Sequence, residues 1–171
     1  MINNNSNLFQ RGRGFTLIEM LIVVAIISIL ASVILVGLGP ARTASRDARR
    51  IADLREVQNA LEIFFNRCTH YPTSATPAPS TDGQACPAAA KGIVNLQWSD
   101  LQSVLINSNI RIDSVPNDPT IGNDYFYGTD GGSSYVLGAV LEDPNNQALQ
   151  SSPHSIIYGV DCSSPVYCVR L

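Results

Sequence analysis

The chain has 171 residues, a formal charge of −3, 45% hydrophobic residues and only 15% charged ones. That length suits one domain with a core, and a charged fraction below the roughly 25% of typical soluble domains excludes a disordered chain or a nucleic-acid coat. The charge is also unevenly spread: residues 1–67 carry 8 basic and 5 acidic side chains, net +3, and residues 68–171 carry 3 and 9, net −6.

From Phe15 to Leu38 the only ionisable side chain is Glu19. As a helix rising about 1.5 Å per residue, this stretch covers about 36 Å, enough for a hydrocarbon core of roughly 30 Å. A removable secretion signal has a shorter apolar region, about 7–15 residues, ending at a small-residue cleavage site. A plain membrane anchor accounts for the length but not for Glu19. A carboxylate at membrane depth is costly unless it is protonated or paired. An amine created by cleavage before Phe15 would lie one helical turn from Glu19, at the positive end of the helix dipole.

Arg13 to Glu19 reads RGFTLIE and follows a short polar, basic leader. This arrangement closely resembles the processing motif of type IV pilins and type II secretion pseudopilins. The resemblance implies that a prepilin peptidase removes residues 1–14 by cutting between Gly14 and Phe15, and that the new Phe15 amine is methylated. It also implies that Glu19 docks each subunit by neutralising the terminal amine of a neighbour. The large domain would then lie outside the cytoplasm, on a single-pass anchor in the bacterial inner membrane. A count of flanking arginines points the other way, because Arg11 and Arg13 precede the span while Arg42, Arg46, Arg49 and Arg50 follow it. The more specific peptidase motif sets the expected orientation.

Gly37, Gly39 and Pro40 predict a kink, since proline removes an intrahelical hydrogen bond. Beyond it Ala41, Ala44, Ala48, Ile51, Leu54, Val57, Leu61, Phe64 and Cys68 recur every three or four residues. That spacing predicts an amphipathic helix over 41–67, with Arg46, Arg49, Asp53, Glu56 and Glu62 on its other faces. Residues 72–92 hold Pro72, Pro77, Pro79 and Pro87 among small polar residues and read as a loop. Trp98–Ile106 reads as a short helix with Ser99 as N-cap. Strand candidates Tyr125–Gly128, Ser134–Leu141, Ser155–Val160 and Val166–Leu171 suggest two successive hairpins. The expected fold class is α+β, a pilin fold: a long kinked N-terminal helix, transmembrane over 15–40, packed on an antiparallel sheet of about four strands within 124–171. Residues 41–171 would form the globular domain.

Ala48 to Glu62, Tyr71-Pro72-Thr73, Trp98, Asp118-Pro119 and Tyr125 fall in an order similar to that of major pseudopilins of type II secretion. Members of that family often bind calcium in a loop near the last strands. The resemblance implies Glu142, Asp143, Asn145 and Asn146 as candidate calcium ligands, all hard oxygen donors; a solvated turn is the alternative reading. The family's Gly-Gly-Glu stretch is absent here, and the chain ends instead in a segment with two cysteines. Cys68, Cys86, Cys162 and Cys168 permit three pairings. The favoured set is Cys68–Cys86, clamping the Pro-rich loop to the helix end, and Cys162–Cys168, closing the last hairpin. No Cys-x-x-Cys spacing points to zinc.

His70 and His154 lie in polar contexts and read as surface histidines. The chain shows no nucleophile elbow, P-loop or metal-binding His pair, so it is not expected to be an enzyme. The acidic outer part opposes nonspecific phosphate binding, so no nucleic-acid partner is expected. The leading expectation is a structural subunit of a type IV pilus-like filament, similar to a type II secretion major pseudopilin. Its expected partners are further copies of itself, related minor subunits, the prepilin peptidase and N-methyltransferase, an inner-membrane assembly platform and membrane lipid. The alternatives are a type IV pilus pilin for adhesion, motility or DNA uptake, and a monomeric membrane-anchored ligand-binding domain.

Overall fold

The apolar run and the amphipathic repeat after it belong to one helical stretch. The computed structural model describes residues 14–73, 82–83, 85–87 and 95–171, with the side chains of residues 33–38, 95 and 96 left out. Helix α1 runs Leu17–Cys68 and contains Pro40. The chain divides there into two compact units, Met1–Ala41 and Arg42–Leu171. In the first unit the apolar side chains of α1 are widely exposed, from Leu17 at 83% to Val23 at 48%. Its two hydroxyls are satisfied within the helix, because Ser28 Oγ donates to the Val24 carbonyl and Ser32 Oγ to the Ile29 carbonyl. Such back-bonding removes the cost of a hydroxyl on an apolar helix. Among the described residues no helix is long and apolar enough to cross a membrane; the expected span passes through residues 33–38.

In the second unit the outer part of α1 packs on a sheet. Leu54, Val57, Leu61 and Phe64 are fully buried and share one core with Tyr125, Tyr127, Tyr135, Leu137 and Ala139. Helix α2, Trp98–Asn107, adds Trp98, Leu101, Val104 and Leu105 to that core. The sheet is antiparallel in the order β1-β2-β3-β6, formed by β1 Asn95–Leu96, β2 Phe126–Thr129, β3 Tyr135–Val140 and β6 Val166–Arg170. Alternation along β3 sends Tyr135, Leu137 and Ala139 toward the helices. Val136 joins a smaller cluster on the opposite face with Val160, Cys162 and Cys168.

Three expectations are corrected. The second hairpin does not form as read: β6 pairs with β3, while β4 Ile156–Ile157 and β5 Val160–Asp161 fold on each other. Their turn, Tyr158-Gly159, has positive φ at both positions, 46° and 81°, which matches the right-handed twist of a tight hairpin. The fourth strand of the sheet is β1, a two-residue segment too short to show alternation. The N-cap of α2 is Gln97, which makes no side-chain capping bond, rather than Ser99. Burial of Trp98, whose indole N–H donates to the Pro116 carbonyl at 2.9 Å, fixes that helix end instead.

Gly128 on β2 lies close against the β4–β5 hairpin. A Cβ there would lie 2.5 Å from the Tyr158 carbonyl oxygen. Gly128→Ala is therefore expected to push the β4–β5 hairpin off the sheet and to destabilise the protein by about 1–3 kcal/mol in denaturant melts. An unchanged midpoint would contradict this packing.

Candidate assembly site

Thr16 precedes the first turn of α1, and Glu19 lies in that turn. The Thr16 backbone N–H donates to Glu19 Oε2 at 2.8 Å, and the Thr16 hydroxyl donates to the same oxygen at 2.7 Å. In return the Glu19 N–H donates to Thr16 Oγ1 at 3.3 Å. This reciprocal pair is a capping box, in which an N-cap Thr and a Glu three residues later satisfy two otherwise orphaned backbone donors. The Thr-x-x-Glu spacing is legible in the sequence, so Glu19 is a helix-capping residue as well as a carboxylate in an apolar run. Both bonds fall on Oε2, and among the described residues no hydrogen bond reaches Oε1. Phe15, next to Gly14, is 83% exposed.

At the other end of the amphipathic segment, the inward face of α1 is charged. Asp47, Arg50 and Asp53 are buried, whereas Ala44 and Ala48, assigned above to the apolar stripe, are exposed. The guanidinium of Arg50, 1% exposed, donates through Nε to Asp118 Oδ2 at 2.7 Å and through Nη2 to Asp118 Oδ1 at 3.1 Å. It also donates to Thr120 Oγ1 at 2.9 Å and Asp47 Oδ1 at 2.8 Å, and its Nη1 forms an ion pair with Glu142 Oε1 at 2.9 Å. Asp47 accepts the backbone N–H groups of Glu142 and Asp143 at 2.9 and 3.0 Å. Beside it Arg46 pairs with Glu142, and Tyr125 donates to Asp53 at 2.7 Å.

Paired this way, Arg50, Asp118 and Glu142 titrate away from their usual ranges. Hydrogen bonding to Asp118 holds Arg50 in its charged form against the opposing effect of burial. Burial alone would raise the Asp118 carboxyl, but the bonds from Arg50 and Thr120 outweigh it and lower it. The Arg46 hydrogen bond, joined by Arg50, brings Glu142 down to about 2.

The calcium candidates make their own contacts within the outer unit. Glu142 faces Arg46 and Arg50, Asp143 Oδ1 accepts the Asn145 N–H, and Asn146 Oδ1 caps the Gln147–Ser151 turn through the Ala148 N–H. Among the described residues no group of three or more His, Cys, Asp or Glu is placed to hold a metal. Cys68 is bonded to Cys86 and Cys162 to Cys168, with Cα separations of 5.9 and 5.7 Å. His154 is exposed, but His70 departs from the surface reading. Its Nδ1 lies 2.9 Å from the Tyr71 carbonyl, and its ring meets Phe64 edge-on. Its Nε2 is buried and has no partner among the described residues. Gly37, Gly39 and Pro40 sit next to the boundary between the two units.

Removing Arg50 leaves Asp47 and Asp118 buried without a countercharge, so Arg50→Leu is expected to cost about 3–5 kcal/mol in denaturant melts. A second test uses pH. Glu142 has a folded-state pKa of about 2 against 4.5 ordinarily, so its contribution is complete above about 4.5 and is lost as pH falls toward 2. Melts between pH 5 and pH 2.5 should therefore show a shallower loss of stability for Glu142→Gln than for the unaltered chain. Parallel pH profiles would remove Glu142 from the account.

The family described as prokaryotic N-terminal methylation motif matches residues 10–35. The chain is 34% identical over 65 residues to the type II secretion system core protein G of Escherichia coli (strain K12), covering 38% of this chain and 45% of that protein. The protein of the same name from Klebsiella pneumoniae is 32% identical over 65 residues, covering 38% and 46%. The chain thus spans under half the length of these curated relatives. No solved structure matches. The N-terminal segment thus carries the prokaryotic N-terminal methylation motif, and over 65 residues the chain is similar to type II secretion system core protein G.

Proposed function

We propose that the protein is a structural subunit of a type IV pilus-like filament, serving type II secretion as a major pseudopilin-like component. The observation that carries this reading is Glu19, held on the capped first turn of a long apolar helix and one turn from Phe15. Residues 1–14 act as the leader, residues 15–40 hold the stored subunit in the inner membrane, and residues 41–171 form a domain outside the cytoplasm. A prepilin peptidase cuts after Gly14 and the Phe15 amine is methylated. The capping box gives Glu19 a chemistry suited to assembly. Oε2 remains tied to its own helix end, which lowers the cost of carrying the carboxylate in an apolar setting. Oε1 is left for the amine of an adjacent subunit, setting register through a charge pair. Burial of the apolar helix against its neighbours drives polymerisation, and the related minor subunits and assembly platform guide it. The role is structural rather than catalytic.

A type IV pilus pilin is the second reading. It is favoured by the Cys162–Cys168 disulfide and the separate β4–β5 hairpin, which stand where the notable Gly-Gly-Glu stretch of major pseudopilins is missing.

Glu19→Leu tests the role of the carboxylate. The variant is expected to insert in the membrane and reach normal levels but to be missing from sheared filaments. Filament yield equal to that of the unaltered chain would remove Glu19 from assembly.

A further inference from the structure

The sheet face turned away from α1 is only partly covered. The β4–β5 hairpin places Val160 over it, yet Phe126 on the same face stays 40% exposed. A Cβ on Gly138 would meet both Phe126 and Val160, which puts the two side chains on one side of the sheet. Beside the hairpin opens a cleft of about 580 Å3 lined by Phe126, Trp98, Val160, Asp124 and Asp161, among others. That volume is in the range of about 300–1,000 Å3 usual for small-molecule sites.

Among the described residues the charges in this cleft all have one sign, and no Lys, Arg or His lines it. Asp161 Oδ1 accepts the Ser163 N–H at 2.9 Å, and bonds from Ser163 hold its pKa below the usual carboxylate range. Asp124 Oδ1 accepts from the Asn117 amide at 2.8 Å. Among the described residues neither carboxylate is paired with a basic side chain. Residues 68–171, these two carboxylates included, are acidic as a whole, net −6. A cleft of one sign with apolar walls focuses the field and concentrates the opposite ion. An exposed aromatic ring adds attraction for a cation over its face.

We propose that this cleft binds an organic cation, an alkylammonium group resting on the Phe126 ring with Asp124 and Asp161 as countercharge. An anion is repelled there. A neutral apolar ligand gains nothing from the carboxylates. A bare metal ion finds no group of three acidic, His or Cys side chains among the described residues. The site is independent of the filament reading, because it uses neither Glu19 nor α1.

Trp98 supplies the readout. It is the one tryptophan in the chain, it lines the cleft, and it stacks edge-on against Tyr125 with ring centroids 5.2 Å apart. The full-length protein in a nonionic detergent is titrated with tetramethylammonium chloride while tryptophan emission is followed. Sodium chloride controls for ionic strength, and tert-butanol serves as a neutral molecule of similar shape. The expected result is a saturable change with tetramethylammonium alone, weakened by added salt. Phe126→Leu should weaken binding about two- to fivefold, and the Asp124→Asn/Asp161→Asn double variant should abolish it. Circular dichroism and melting of each variant separate loss of binding from loss of fold. No saturable response from the unaltered chain, or an equal response to tert-butanol, overturns the proposal. So does undiminished binding by a folded double variant.

Discussion

The neutralisation of Arg50 inside the protein is the constraint around which the outer unit is built. A guanidinium at 1% exposure is tolerable only if each face of its fork meets an acceptor. The acceptors come from three separate stretches of chain: Asp47 on α1, Asp118 and Thr120 ahead of β2, and Glu142 just after β3. Meeting that requirement fastens both ends of the β2–β3 pair to one turn of the helix. Asp47 reinforces the attachment by accepting two backbone N–H groups at the end of β3. The tyrosines of β2 and β3 then lie against Leu54, Val57, Leu61 and Phe64, and apolar burial completes what the ion cluster positions.

The same cluster changes the meaning of the arginines after the apolar run. Counted along the sequence, Arg42, Arg46, Arg49 and Arg50 form a basic patch. In the folded unit Arg46 pairs with Glu142, Arg49 with Asp53 at 3.7 Å, and Arg50 with three carboxylates. The patch is therefore largely cancelled once the domain has folded. The flanking-charge bias acts on the chain during insertion. The folded charge is a separate quantity, and here the two have opposite implications.

Much of the fold is legible in the sequence because its elements are periodic. The apolar run, the outer part of α1, α2, β2, β3 and β6 all announce themselves by spacing. What escapes the sequence depends on partners far along the chain. Asp47, Arg50 and Asp53 look like solvated residues until Asp118, Glu142 and Tyr125 are brought to them. β1 and the β4–β5 hairpin are two-residue strands, too short for any alternation. The pairing of β6 with β3 depends on where the 3-10 turn Gln147–Ser151 and the hairpin lead the chain. At the candidate assembly site Phe15, Thr16 and Glu19 are all legible, and the Thr-x-x-Glu spacing carries the capping role of Thr16 as well.

Glu19 and Phe15 have meaning only if the chain is cut before Phe15, and that is the central claim. Intact-mass measurement of the protein recovered from its native membrane and filaments tests it most directly. The account predicts a chain that starts at Phe15 with one methyl group on its amine. A chain that retains residues 1–14, with an unmodified Phe15, would contradict it.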